Sequence, residues 1–374
     1  MPELSSRRST FLSFQPPAIT DDEVAAVAET LRSGWLTTGP RTAELEARMR
    51  EFLEAKHVLA VSSGTAALHL SLVALGVGPG DEVITSSITW PATANVIVHC
   101  GATPVFADVR DDTLNIDPAR VAELVNERTK AILPVDLYGQ PADLDPLREL
   151  GLPLVEDAAH AAESCYRGRK VGSIADLTCF SLYATKNIAA GEGGLIATNR
   201  DDVAEAIDDL RVMRRGHGSR YDIVVPGYKA NLSDVLASIA LVQLDKVERH
   251  AEIRRRQFEL YDEGLADLGG ITPVARDPRD EHANHLYVVR VTFADRDDVQ
   301  RALTEENIGT SIHFLPVHAL SAYRDRLAPR QPALPVTERA GREVLSLPLS
   351  PAHTDDDIAD VIAALGRVHA SLTR

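Results

Sequence analysis

No stretch of the 374 residues approaches the ~20 consecutive apolar side chains that a bilayer span requires. The first residues, MPELSSRRSTFLSF, carry two arginines but lack the apolar core of a secretory signal. A cytoplasmic protein with no membrane partner is the expectation. Cysteine is scarce. Cys100, Cys165 and Cys179 are an odd number without metal-type spacing, which fits buried reduced thiols better than a disulfide frame or a zinc site. Positive charge is also short: 39 Lys and Arg face 55 Asp and Glu, a net charge of -16. That balance argues against nucleic acid, whose phosphates need a basic face. It leaves room for an anionic small ligand, because a few local cations and helix N-termini hold phosphate on an acidic protein. Internal repeats and low-complexity tracts are absent as well.

What is present is the balance of an ordinary globular enzyme, 44% hydrophobic and 25% charged, on a chain long enough for two or three domains. Short β-branched runs recur: HVLAVSS (57–63), EVITSS (82–87), TPVFADV (103–109), AILPVDL (131–137), LPLVEDA (152–158), DLTCFSLY (176–183) and GGLIATN (193–199). Several are apolar throughout, as in strands covered on both faces, and helical patterns such as DPARVAELVNERT (117–129) lie between most of them. The alternation predicts an α/β domain with a mostly parallel sheet of about seven strands. After residue 200 the pattern becomes a helix (201–215), a Gly/Arg/Tyr-rich loop (216–230) and one long helix from Ser233 to about Gly264. A strand-like LYVVRVTF (286–293), a helix (297–307), SIHFLP (311–316) and a C-terminal helix follow. The expected division is a large α/β domain over 1–245, including an N-terminal segment with a helix at 21–33, and a smaller α+β domain over 246–374.

Three segments carry candidate chemistry. In SSGTAALHLSLVAL (62–75) a strand runs into Gly64-Thr65 and straight into a helix, whose free N–H groups form a phosphate cradle, although Ser and Thr also cap helices for structural reasons alone. VEDAAHA (155–161) ends an apolar strand on two carboxylates, where open α/β sheets bind ligands. FSLYATKNIAAGEGG (180–194) sets Lys186 in a loop after another strand. A lone loop lysine is ordinarily solvated, and the combination is what carries weight. Pyridoxal phosphate needs an amine for its aldehyde, an acid to keep its ring nitrogen protonated and donors for its phosphate. Lys186, Asp157, and Gly64-Thr65 with Ser181 supply these in turn, all at carboxyl ends of predicted strands. Lys186 freed from the aldehyde is also placed to act as base. Trp90 in SSITWPATAN (86–95) either stacks on the ring or belongs to a core or interface.

These segments resemble the DegT/DnrJ/EryC1/StrS sugar aminotransferases, fold type I pyridoxal-phosphate enzymes. The likeness runs through SGWLTTGP (33–40), SSGTAAL (62–68), SITWPATAN (87–95), EDAAHA (156–161), FSLYATKN (180–187), GEGG (191–194), PGYKANLSD (226–234), HLYVVRV (285–291) and IGTSIHFLPVH (308–318). The resemblance implies Lys186 as the Schiff-base lysine, with Asp157 partnering the ring nitrogen. It implies phosphate contacts from Gly64, Thr65 and Ser181, a stacking Trp90 and a His160 close to the ring oxygen. Asn231 would reach the cofactor phosphate of a neighbouring subunit, which implies a homodimer with shared sites. A lysine at 186, where the dehydratases of the group have histidine, implies transamination, with pyridoxamine 5'-phosphate formed in the half-reaction.

TTGP, SITW, PGYKANL and the histidine of SIHF are similar to the branch that aminates C4 of nucleotide-linked 4-keto sugars. In that branch His313 and Lys229 face the sugar or its diphosphate; otherwise they are a packed imidazole and a surface lysine. An abundance of Ala, Arg and Asp resembles high-GC actinobacterial proteins that make deoxyamino sugars for natural products such as antibiotics. The resemblance therefore implies dTDP-4-keto-6-deoxyglucose as acceptor and glutamate as donor. C3 keto-sugar or inosose amination on the same fold is the alternative, and a pyridoxal-phosphate-binding regulator without turnover is the alternative of another class.

Overall fold

A computed structural model describes residues 7–213, 222–223, 225–327 and 332–374. The loop expected at 216–230 lies partly outside them. All seven predicted runs form strands: β1 (His57–Val61), β2 (Glu82–Ser86), β3 (Thr103–Ala107), β4 (Thr129–Leu133), β5 (Val155–Asp157), then, after a two-residue pair β6 (Cys165–Tyr166) and β7 (Arg169–Lys170), β8 (Leu177–Ser181) and β9 (Gly194–Thr198). They hydrogen-bond as two sets, β3-β2-β4 and β1-β9-β8-β5. Parallel bridges Ile132–Leu154 and Val135–Asp157 bring β4 and β5 together. The strands Glu82–Ser86 and Gly194–Thr198 are buried at every position, because helices cover both faces.

One strand departs from the parallel pattern. β9 runs antiparallel to both β1 and β8. No helix intervenes between β8 and β9, so the chain turns back directly, and the returning loop carries Lys186. Close approach at the turn is possible because residue 194 is glycine. A Cβ there would collide with the Ser63 carbonyl and lie 2.8 Å from the Gly64 nitrogen.

The expected long helix after Ser233 is two helices, Asp234–Asp245 and Val247–Leu265. Lys246, at φ -98° and ψ -3°, interrupts them, and its Nζ binds Glu23 at 2.8 Å. Ser233 caps the first helix through the Leu236 N–H. A helix at Pro40–Leu53 starts on proline, a favourable first residue, but Gly39 before it has no side-chain cap to offer. The cap comes from Asp234, which accepts from the N–H groups of Gly39, Arg41 and Thr42 at 2.8–3.0 Å.

Beyond these helices, β10 (Ile271–Pro273), β11 (Tyr287–Val291) and β12 (Val344–Leu347) form an antiparallel sheet in the order β10-β11-β12. SIHFLP is not a strand; Ser311 makes a single bridge to Ser346. Val289, Val291, Leu345 and Leu347 pack against Tyr261, Leu303, Val361 and Leu365 from the neighbouring helices. The N-terminal segment touches both regions. Leu12 bridges Ile308, while Glu23 of the Asp21–Ser33 helix accepts from Gln243 at 2.7 Å. Among the described residues no helix is long and apolar enough to cross a membrane.

Candidate active site

Carboxyl ends of β1, β2, β5 and β8 open onto one cavity of about 420 Å³, a size usual for small-molecule sites. Gly64, Thr65, Trp90, Asp157, His160, Ser181, Lys186 and His313 all line it. Eight of the ten residues singled out in the sequence therefore meet in one place. Lys229 and Asn231 do not line it. Lys229 Nζ donates to Asn231 Oδ1, and Asn231 Nδ2 donates to Thr38 Oγ1. Trp90 is 64% exposed, so within this chain it is no core residue.

The start of the Gly64–Ala74 helix is arranged to leave donors for a ligand. Ser63 Oγ accepts the Ala66 N–H at 3.0 Å, and the Ser63 carbonyl accepts that of Ala67 at 3.0 Å. The preceding amides, of Gly64 and Thr65, sit at the cavity wall with the positive end of the helix dipole. Glycine at 64 also spares a tight contact: an added Cβ would be 3.0 Å from the Ser181 Cβ. Glycine lets the helix start pack directly against Ser181, so the Gly64 and Thr65 amides and the Ser181 side chain lie together at the cavity wall.

Asp157 is held from two sides. Thr93 Oγ1 donates to Oδ2 at 2.8 Å, and the Ala159 N–H donates to Oδ1 at 3.2 Å. Burial raises its pKa, while the bonds from Thr93 and Ala159 and the charge of Lys186 pull it back. Lys186 is fixed through its own backbone, its N–H donating to the Tyr183 carbonyl at 2.8 Å. Burial brings its ammonium down to about 8, with Asp157 opposing that shift. An amine near 8 beside a buried carboxylate, with phosphate donors opposite, is the donor set that pyridoxal phosphate requires.

Sequence reasoning missed several cavity residues. Thr93 was legible only as part of the SITWPATAN likeness. His285 and Phe314, from the distant 280–316 region, were likewise legible only as members of the HLYVVRV and IGTSIHFLPVH likenesses. His160 stacks on His285 with ring centroids 4.5 Å apart and lies 6.0 Å from Phe314. His313 bonds Ser346 Oγ through Nδ1 at 2.8 Å. Burial, and secondarily the Lys186 charge, hold His313 down to about 4 and keep His160 and His285 well below the ordinary histidine range. All three imidazoles are neutral at physiological pH.

Behind Asp157 lies a second carboxyl pair. Asp136 and Glu156 are fully buried, and the charge of Glu156 acts on Asp136. Asp136 Oδ2 and Glu156 Oε1 have no hydrogen-bond partner among the described residues, and a single proton shared between the two carboxyls would satisfy both. Burial raises both above the exposed carboxyl range. The folded protein thus binds this proton more tightly than the unfolded chain. The resulting stabilisation is present below about pH 4.3, the unfolded value, and is lost as pH rises through the raised folded value. Glu156→Gln supplies an amide N–H to Asp136 and keeps an acceptor for Thr178, whose Oγ1 now donates at 2.8 Å. The fall in Tm between pH 5 and pH 8 should shrink by a few degrees in this variant. Thermal scans at the two pH values decide, and parallel pH dependence in parent and variant would refute the shared proton.

The DegT/DnrJ/EryC1/StrS aminotransferase family matches residues 17–366. Spore coat polysaccharide biosynthesis protein SpsC of Bacillus subtilis is 42% identical over 96% of this chain and 97% of its own. The sugar aminotransferase Spr1654 from Streptococcus pneumoniae, solved in its PLP-form, superposes with a TM-score of 0.91 at 34% identity, covering 97% of this chain and 99% of that one. DesI, solved in the presence of its TDP-sugar product, superposes with a TM-score of 0.89 at 33% identity, over 100% of this chain and 95% of that one. Similarity of this extent and depth makes the fold that of the type I pyridoxal-phosphate enzymes and the cofactor pyridoxal 5'-phosphate, which passes through its pyridoxamine form. The chain belongs to the DegT/DnrJ/EryC1/StrS aminotransferase family.

Proposed function

We propose that this aminotransferase moves the amino group of glutamate to C4 of a nucleotide-linked 4-keto-6-deoxy sugar, with dTDP-4-keto-6-deoxyglucose the leading acceptor. The observation that carries the reading is the convergence of Lys186, Asp157, the Gly64–Thr65 helix start, Ser181 and His313 on one cavity. The TDP-sugar product of DesI and the sugar-aminotransferase description of Spr1654 support a nucleotide sugar as acceptor.

When bound, pyridoxal phosphate supplies an aldehyde for the amino group and a ring that takes up the electrons of the broken Cα–H bond. The protein's part is binding, orientation and proton movement. Gly64 and Thr65 N–H groups and the Ser181 hydroxyl hold the phosphate. Trp90 and His160 border the ring, and Asp157 keeps a proton on its nitrogen. Lys186 Nζ would take the proton from the amino-bearing carbon of the substrate and hold it for return. With a pKa of about 8, roughly a tenth of the free amine is unprotonated at pH 7, enough for a base that is regenerated in each turnover. His313, on the lining of the same cavity, would face the sugar.

Lys229 and Asn231 lie outside their own cavity on the segment that follows the exposed Tyr228. We take them as the contribution of one subunit of a homodimer to the site of the other, Asn231 at the phosphate and Lys229 at the substrate diphosphate.

Amino transfer from glutamate to 3-keto and 4-keto dTDP sugars, with the product linkage read by NMR, tests the proposal. The expected product carries nitrogen at C4. Transfer only to the 3-keto compound or to an inosose would replace this substrate by the alternative. Cofactor absorbance that does not change on adding glutamate would indicate a binding protein without turnover.

A further inference from the structure

The cavity's two stacked imidazoles are held in opposite senses, and the groups behind them decide which is which. Asn187, next to Lys186 in the chain, is buried. Its Nδ2 donates to the Glu163 carboxylate and to the Ala283 carbonyl, the latter at 2.9 Å. Both amide hydrogens are thus committed to groups that can only accept. The third contact of Asn187 is from Oδ1 to His285 Nδ1 at 2.8 Å. A carbonyl oxygen only accepts, so His285 Nδ1 carries the hydrogen. Glu163 is kept from swinging away by Arg254 Nη2 at 2.5 Å, a buried ion pair. His285 is neutral, and its Nε2 therefore bears a lone pair.

His160 is the reverse case. The backbone N–H of Tyr138 donates to His160 Nδ1 at 3.3 Å. A peptide N–H only donates, so Nδ1 bears the lone pair and the hydrogen sits on Nε2. Both rings line the cavity, and in each the second nitrogen is the one left for a ligand. One wall consequently offers an N–H donor from His160 beside a lone-pair acceptor from His285.

We propose that His285 Nε2 is a specificity-determining acceptor for a hydroxyl group of the amino-accepting substrate. The reasoning is one of donor and acceptor types. A transaminase admits two substrates to one cavity in turn. Glutamate's carboxylates are acceptors only and its one donor, the amino group, is engaged at the cofactor aldehyde, whereas a keto sugar brings free hydroxyl hydrogens. An acceptor fixed by Asn187 therefore favours the sugar and leaves the amino-acid half-reaction untouched. His160 Nε2–H, as a donor, serves either. This inference rests on the sugar reading of the preceding subsection for its substrate, but the tautomer does not.

Long-range 1H–15N correlation of the ring nitrogens in the cofactor-free protein at pH 7.5 reads the tautomers directly, with His285 identified by its loss in His285→Asn. A protonated Nδ1 and bare Nε2 are expected for His285, and the opposite for His160. His285 carrying its hydrogen on Nε2, or on both nitrogens, would overturn the inference whatever the substrate. The functional arm uses half-reactions followed by cofactor absorbance. His285→Asn keeps an N–H for Asn187 and removes the cavity acceptor. Its apparent affinity for the keto sugar should weaken about tenfold while the glutamate half-reaction stays within about twofold. His285→Gln, which restores an oxygen near the Nε2 position, should recover most of that loss. Equal slowing of both half-reactions, or sugar affinity within about twofold of the parent, would overturn it. Should His285→Asn fail to fold, loss of the signal in His285→Gln identifies His285 and the parent's tautomer decides. A parent that aminates no nucleotide-linked keto sugar would overturn the functional reading and the hydroxyl assignment together, leaving the tautomer signature standing and so separating the two failures.

Discussion

Lys186→Ala should lose at least about a thousandfold in kcat, because in the proposed mechanism it removes both the amine for the cofactor and the base for the substrate proton. The loop geometry makes the loss specific. Lys186 stands on a return from β8 to β9 pinned by its own N–H to Tyr183 at 2.8 Å and by Ala184 N–H to the Gly191 carbonyl at 3.1 Å. None of these bonds uses the lysine side chain. Its ammonium is also disfavoured by burial, as its lowered pKa records, so truncation should leave Tm within a few degrees of the parent or raise it slightly. The measurement pairs turnover with the absorbance of the cofactor-loaded protein. The long-wavelength band of the lysine-linked cofactor should vanish, leaving free aldehyde in the site. A variant that transaminates within about tenfold of the parent would show that Lys186 is not the base.

Asp157→Asn should retain the cofactor and lose about a hundredfold or more in rate. An amide of the same shape keeps the Thr93 hydroxyl bond by accepting at its oxygen, so the pocket stays filled. What goes is the charge that keeps the ring nitrogen protonated, and without it the ring is a weaker electron sink. Loss of that carboxylate also removes the partner that holds the Lys186 ammonium up. Proton transfer should then respond to pH at a lower value than in the parent. Cofactor affinity by titration, together with single-turnover rates for glutamate, separates the two effects. Rates near the parent's at every pH would refute the electron-sink role.

Much of this site was legible in the chain before folding. Lys186, Asp157 and Gly64-Thr65 each sit where an apolar, β-branched run ends, and in an α/β sheet the ends of parallel strands share one edge. Knowing the strands was therefore enough to bring those residues together. Periodicity also located the helices at 21–33, 201–212 and 355–372 to within a few residues, since an amphipathic face follows from local spacing.

Other features depended on partners remote in sequence. The Pro40–Leu53 helix takes its cap from Asp234, an acceptor 195 residues after Gly39, and no local pattern encodes it. The reversal of β9 was hidden because a buried strand reads the same in either direction. His285 begins an ordinary strand-like segment; only packing against Asn187 gives it a defined tautomer and a place on the cavity wall. Residue order alone set the class of chemistry, because amine, carboxylate and phosphate cradle follow from residue type and strand position. Folding set their electrostatic state: the lysine lowered to about 8, the carboxyls of Asp136 and Glu156 pushed up by burial, and the paired imidazoles. Those depend on how much water is excluded and which donors face which acceptors, and both are governed by neighbours that the linear order does not reveal.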